Sequence, residues 1–131
     1  DKDSPKLAMT LVIDHSGSMT DASDGGKSKL EYAKEAAAAA VNNLRSTDIV
    51  GIESFDDGYH WQVKPIRLTD RDDVLSKIYG IKDGGGTSIY PALKEAYEQM
   101  TKVSTNDAQI KHIVLLTDRI RTMGMTICLR T

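Results

Sequence analysis

The segment Leu11–Met19, with the sequence LVIDHSGSM, decides how the chain folds. Its first three residues complete the apolar run Leu7–Ile13. This run is short and bounded by polar turn residues, so it predicts a buried central strand. After this strand, Asp14, Ser16 and Ser18 offer one carboxylate and two neutral hydroxyl groups at alternate positions. Oxygen ligands of this kind suit Mg²⁺ or Mn²⁺ and suit Zn²⁺ poorly. We therefore predict half of a metal site at the end of the first strand.

Length and composition restrict the class of protein. The 131 residues suffice for one domain with a single core. A net charge of −2, without a cluster of Lys or Arg, and an aromatic content of 5% argue against nucleic acid as a partner. No membrane span or signal peptide is recognised, and one cysteine, Cys128, cannot form an internal disulfide. Because the first residue is Asp1, we expect a piece of a longer protein and leave its localisation open.

Hydrophobic periodicity predicts alternating strands and helices along the rest of the chain. Ser28 begins a capping box and a helix that extends to about residue 45, Asp70 caps a second helix, and Pro91 suits the first turn of a third. Further strands are predicted at residues 49–55, 59–66 and 110–117. This order predicts an α/β fold with a three-layer, Rossmann-like open sheet, mostly parallel, covered by helices on both faces. The third strand has mixed polarity, so we place it at an antiparallel edge.

Polar residues from three distant segments are expected to meet at one edge of this sheet. Ligands of such sheets bind beyond the carboxyl ends of the strands. Asp14 and Asp118 each follow such an end, and the loop around Thr87 can reach the same crevice. The predicted metal ligands are Asp14, Ser16, Ser18, Thr87 and Asp118. Each alone is more often a capping or turn residue, but together they favour a site for Mg²⁺, with Mn²⁺ or Ca²⁺ as alternatives.

The same motifs resemble the von Willebrand factor type A (vWA) domain and its metal-ion-dependent adhesion site. Asp14–Ser18 is similar to the family's Asp-x-Ser-x-Ser signature, Gly86-Thr87 to its threonine loop, and Leu115–Asp118 to its second aspartate strand. The stretch Gly84–Leu93 is most similar to bacterial members, some of them in large membrane-associated proteins. Three motifs in the family's order are far more specific than one. The resemblance covers residues 6–118, which we take as the domain, with residues 1–5 as a lead-in.

The resemblance implies a protein-binding function without catalysis. Ser16, Ser18 and Thr87 would contact the cation through hydroxyl groups, and Asp14 and Asp118 would do so directly or through water. An Asp or Glu of a protein partner would then replace one water on the cation. The residues expected to frame that partner follow the second strand, and they are Asp56, Asp57 and Tyr59.

The carboxyl end departs from the family pattern. After Asp118 the family continues with further strand–helix units, whereas residues 119–131 resemble no family segment. We therefore expect a vWA-like domain that is truncated after its fourth strand, with an exposed strand edge. Such an edge invites pairing. The segment Met123–Leu129 has enough strand propensity to cover it within the chain or across a homodimer, and we predict a homodimer.

Other functions were weighed against this interpretation. A phosphohydrolase that uses Asp14 as its nucleophile needs a second aspartate two residues later, where this chain has Ser16. A nucleotide-binding loop at residues 25–28 is disfavoured because Asp21 occupies the position of its first glycine. A metal-free scaffold domain stays an open alternative. His15 is expected to point away from Asp14, and His60 has no paired ligand at metal spacing, so both are interpreted as packing or surface residues.

Overall fold

The computed structural model describes residues 6–20, 28–82, 84–86, 88–104, 106–117 and 124–129. Within them, strands and helices alternate along the chain in the predicted order. The elements are β1 (Leu7–Asp14), α1 (Lys29–Asn42), β2 (Ile49–Phe55), β3 (Tyr59–Arg67), α2 (Arg71–Tyr79), α3 (Ile89–Thr101), β4 (Ile110–Leu116) and β5 (Gly124–Leu129). A short 3₁₀ helix, Gly17–Thr20, follows β1. None of the described helices is long and apolar enough to cross a membrane.

The strands form one sheet in the order β3-β2-β1-β4-β5. β1 lies at its centre and pairs in parallel with β2 and β4, while β3 and β5 are antiparallel edge strands. The predicted α/β class and the antiparallel edge at β3 are therefore confirmed. The carboxyl-terminal segment supplies a fifth strand, β5, which covers the edge of β4 within the chain and is one of the two arrangements predicted for it.

Side-chain caps explain where two of the helices begin. The Ser28 hydroxyl accepts a hydrogen bond from the Glu31 N–H at 3.1 Å, which is the serine half of the predicted capping box, and it lies 3.4 Å from the Glu31 carboxylate. The Asp70 carboxylate accepts one from the Asp73 N–H at 3.1 Å. Both caps satisfy N–H groups that have no partner within the helix.

The core has two parts, one on each face of the sheet. On the α1–α2 face, α1 and α2 pack on apolar side chains of the sheet, including Leu11, Ile13, Val50 and Ile52. On the α3 face, α3 packs on a second apolar cluster that includes Ala8, Val12 and Phe55. Alternation along each strand also places three buried polar residues on the α3 face. They are Thr10, Glu53 and Lys111.

Candidate functional site

Asp14, the last residue of β1, joins the ends of two neighbouring strands. Its side chain is fully buried. One carboxylate oxygen accepts a hydrogen bond from the Ser16 backbone N–H at 2.8 Å, and the other accepts one from the Thr117 hydroxyl at 2.6 Å. Thr117 directly follows β4 and is also fully buried. The carboxyl ends of β1 and β4 therefore meet at Asp14, as the sequence predicted.

The surroundings of Asp14 suit a hard cation. Among the described residues, no Lys, Arg or His side chain forms an ion pair with this carboxylate. A buried anion without a cationic partner is costly. Each carboxylate oxygen can accept more than one interaction, so the two hydrogen bonds leave capacity for a metal ion. The donors present therefore fit Mg²⁺ or Mn²⁺.

The structure describes some of the predicted metal ligands and not others. Ser16 is 1% exposed and adjoins Asp14, and the backbone of Ser18 lies in the 3₁₀ helix. Thr87, Asp118 and the side chain of Ser18 lie outside the described part of the structure. Thr117, which lies within the Leu115–Asp118 motif and was not predicted as a site residue, donates the hydrogen bond that holds Asp14. The complete ligand set stays a prediction.

A glycine-rich loop, residues 84–86, packs against the end of β1. The Gly17 N–H donates to the Gly85 carbonyl at 2.9 Å, and the Gly84 N–H donates to the His15 carbonyl at 2.6 Å. The His15 N–H in turn donates to the Phe55 carbonyl of β2 at 2.9 Å. The backbone that leads to position 87 is thus fixed beside the segment that carries Asp14 and Ser16.

The three residues expected to frame a partner differ in exposure. Asp57 and Tyr59 are exposed, and Asp57 lies close to Gly85. The Asp56 side chain is only 14% exposed. It accepts hydrogen bonds from the N–H groups of Gly58 and Gly85 at 3.1 and 3.2 Å, while its carbonyl accepts one from the Ser88 N–H. Asp56 therefore connects the β2–β3 turn to the glycine loop.

Two histidines contact the Asp56 carboxylate. Nε2 of His15 lies 3.4 Å from Oδ2, and Nε2 of His60 lies 3.2 Å from Oδ1. The two rings stack with centroids 5.4 Å apart. Burial alone would raise the pKa of Asp56, but hydrogen bonds from Gly58, Gly85 and His60, together with the nearby His15, lower that pKa well below its usual value.

This cluster corrects the interpretation of His60 as a strand residue without a paired ligand. The antiparallel pairing of Ser54 with His60 across a tight turn brings position 60 back over Asp56. His15 is 6% exposed, and it packs on this pair. The spacing of Asp56 and His60 around the turn was visible in the sequence. The contact with His15 depends on the pairing of the end of β1 with the end of β2, where the His15 N–H donates to the Phe55 carbonyl, and the residue pattern does not show this pairing.

Comparison with protein families identifies the fold. The sequence matches the von Willebrand factor type A domain over residues 9–120, which is most of the chain. The chain belongs to the vWA family. The resemblance inferred from its three motifs is therefore confirmed. No curated protein matches the sequence.

The vWA domain is similar to solved bacterial structures. The PilB minor pilin from Streptococcus sanguinis has a TM-score of 0.77 at 20% identity, over 90% of this chain and 31% of that one. The vWF domain of the type V pili tip protein Mfa5 from Porphyromonas gingivalis has 0.66 at 24%, over 83% and 36%. A von Willebrand factor type A protein from Catenulispora acidiphila has 0.65 at 23%, over 83% and 25%. The chain thus spans between 25% and 36% of these structures, and the similarity shows a shared fold.

Proposed function

We propose that this vWA domain is a divalent-cation-dependent module that binds an acidic residue of a protein partner. The observation that carries the proposal is the buried Asp14 carboxylate. It lies at the end of the central strand, is held by two hydrogen bonds and has no cationic partner among the described residues. A carboxylate in this environment is well placed to hold a cation at the edge of the sheet where ligands of such folds bind.

The proposed ligands are the carboxylates and hydroxyl groups named from the sequence. They are Asp14, Ser16, Ser18, Thr87 and Asp118. The Ser16 N–H and the Thr117 hydroxyl orient Asp14, so its carboxylate is positioned before any cation arrives. When bound, Mg²⁺ or Mn²⁺ supplies an exchangeable coordination position that a partner's Asp or Glu can occupy.

The partner would lie on the surface beside Asp14. Asp57 and Tyr59 are exposed there and would frame it. The PilB minor pilin and the Mfa5 tip protein are named as pilus proteins, and by analogy with them we assign an adhesive role to this domain. A homodimer stays a prediction. Since β5 already pairs with β4, a second copy would use the outer edge of β3 or β5.

We also propose that the domain is not an enzyme. A phosphohydrolase with Asp14 as nucleophile needs an acid two residues later, and Ser16 cannot donate a proton efficiently at neutral pH. In addition, both oxygens of Asp14 accept hydrogen bonds that hold the carboxylate in a buried position. This arrangement supports a ligand role over attack on a substrate.

Thermal unfolding with Mg²⁺, Mn²⁺ or Ca²⁺, each against chelator, tests the metal step. A cation that binds only the folded state at about 100 times its Kd adds about 2.7 kcal/mol of stability. For a domain of this size we expect the melting temperature to rise by several degrees. Asp14→Asn keeps the shape of the side chain and removes its charge, and we expect the rise to disappear in this variant.

The matched control is Asp73→Asn, which removes an exposed carboxylate from α2. This variant should keep the full cation response. Loss of the free Mn²⁺ signal in electron paramagnetic resonance should report binding to the wild type and to Asp73→Asn, but not to Asp14→Asn. Absence of any cation response in the wild type would refute the metal step and favour a metal-free scaffold domain.

A further inference from the structure

We propose that His15, Asp56 and His60 form a second metal site, which binds a transition-metal ion such as Zn²⁺. Within the described residues, their ligand atoms all lie within 4.8 Å of one another. The two His–Asp contacts measure 3.4 and 3.2 Å. With metal–ligand bonds of about 2.0–2.1 Å, two ligands of a tetrahedral ion lie roughly 3.3–3.4 Å apart. Each His–Asp pair therefore has the spacing of two ligands on one ion, and the two histidine nitrogens lie within 4.8 Å of each other.

The central carboxylate is held in place by the backbone. The N–H groups of Gly58 and Gly85 donate to Oδ1 and Oδ2 of Asp56, respectively. Hydrogen bonds of this kind orient metal-binding carboxylates and contribute strongly to metal affinity. Each oxygen also has a histidine Nε2 nearby. An ion bound by the two Nε2 atoms would thus meet a carboxylate that needs little reorganisation.

The lack of a side chain at Gly84 leaves room for the ligand atoms of Asp56 and His15. A Cβ atom at this position would lie 2.5 Å from Oδ2 of Asp56 and 2.9 Å from Nε2 of His15. No side chain fits at these distances without displacing one of the two ligand atoms. The close approach of the Gly84 backbone, fixed by its N–H bond to the His15 carbonyl, therefore depends on glycine.

The donor set differs from that at Asp14. Two imidazole nitrogens and one carboxylate are ligands that Zn²⁺, Co²⁺, Ni²⁺ and Cu²⁺ prefer, whereas oxygen donors alone favour Mg²⁺. Nδ1 of His15 is buried and has no hydrogen-bond partner within the described part of the chain. No such bond there fixes which ring nitrogen carries the proton, so Nε2 can present its lone pair to a metal ion. The two neighbouring sites would select different ions.

The site is open on one side. The His60 side chain is 55% exposed, while those of His15 and Asp56 are 8% and 14% exposed. An ion can therefore enter past His60, and with three protein ligands it keeps a coordination position towards solvent. A bound ion would also connect the end of β1 to the β2–β3 turn, and through Asp56 to the glycine loop beside Asp14.

Calorimetric titration of Zn²⁺ into the full chain, with excess Mg²⁺ present, tests this proposal. We expect one Zn²⁺ per chain. His60→Ala should weaken binding at least about tenfold, because loss of an outer-shell contact alone usually costs 10- to 100-fold. Gly84→Ala should weaken it as well. His60 is exposed at the sheet edge, so its variant should fold, and circular dichroism would verify this.

Two control variants distinguish this site from others. His112→Ala removes the third histidine, which the sheet register places opposite Cys128, and it should bind Zn²⁺ within about twofold of the wild type. Asp14→Asn should also keep Zn²⁺ binding, so a failure of the Asp14 site would leave this test unaffected. No Zn²⁺ binding, equal affinity in His60→Ala, or a loss confined to His112→Ala would each overturn the proposal.

Discussion

The two faces of the sheet are stabilised in different ways. The α1–α2 face is covered by two helices over an apolar cluster that includes Leu11, Ile13 and Ile52. The α3 face is covered by one helix over a second apolar cluster, and it buries Glu53 and Lys111 as well. Apolar packing responds weakly to pH, whereas buried ionisable groups respond strongly. The larger apolar cluster thus lies on the first face, whereas the buried Glu53 on the second face makes the stability depend on pH.

The largest expected loss of stability comes from a truncation in the apolar cluster of the α1–α2 face. Leu11 and Val12 are adjacent, both fully buried, and lie on opposite faces of the sheet. Leu11→Ala should lower the free energy of unfolding by about 2–5 kcal/mol, since it leaves a cavity in the larger cluster. Val12→Ala should cost less. Urea unfolding of both variants measures this, and an equal or larger loss at Val12 would contradict the comparison.

The next effect concerns pH and the α3 face. Burial, with a smaller contribution from the Glu95 carboxylate, raises the pKa of Glu53 from 4.5 to about 8. Between these values the folded chain holds a proton that the unfolded chain has released, so stability falls as pH rises and levels off above about 8. Each pKa unit corresponds to about 1.4 kcal/mol, and we expect a loss of a few kcal/mol.

Glu53→Gln sharpens this test because the amide stays neutral at every pH. Urea unfolding of the variant should show a weaker fall in stability between about pH 5 and 8 than the wild type. Glu98→Gln, which changes an exposed residue of α3, is the matched control and should keep the wild-type slope. An unchanged slope in Glu53→Gln would show that Glu53 is not the group that titrates.

The smallest expected effect lies on the outer surface of α2. Lys77 and Asp73 form an ion pair of 3.7 Å, and both side chains are about half exposed. Such pairs contribute about 0.3–0.5 kcal/mol on helices and are weakened by salt. Lys77→Ala should therefore change the unfolding free energy by no more than this amount. A loss above about 1 kcal/mol would mean that this pair contributes more than exposed ion pairs on helices usually do.

Most of the fold could be predicted from local patterns. Continuous apolar runs identify β1, β2 and β4, and the caps at Ser28 and Asp70 identify two helix starts. Parallel strands then bring Asp14 and the end of β4 together without further information. The pairing of β5 with β4 was one of two alternatives, because strand propensity does not specify which edge a segment joins.

The site was less predictable at the level of side chains. The proximity of Asp14, Ser16 and the β4 end followed from topology, but the role of Thr117 did not. The contact between His15 and His60 depends on how the ends of β1 and β2 pair and on the hairpin turn between β2 and β3. The burial of Glu53 could not be predicted either, because glutamate is usually exposed, whereas the fold covers this residue of β2 completely. Tertiary contacts, absent from any residue pattern, decide each of these features.

The hydrogen bond between Asp14 and Thr117 also has a consequence for the order of folding. The two residues are 103 positions apart in the sequence, and β1 pairs with β4 along its whole length. Contacts between such distant residues carry a large loop-closure entropy and form late. During synthesis, β1 and β2 are complete long before β4 emerges. The site around Asp14 is therefore expected to form late in folding. A cation that binds there would stabilise the folded domain relative to any partly folded chain.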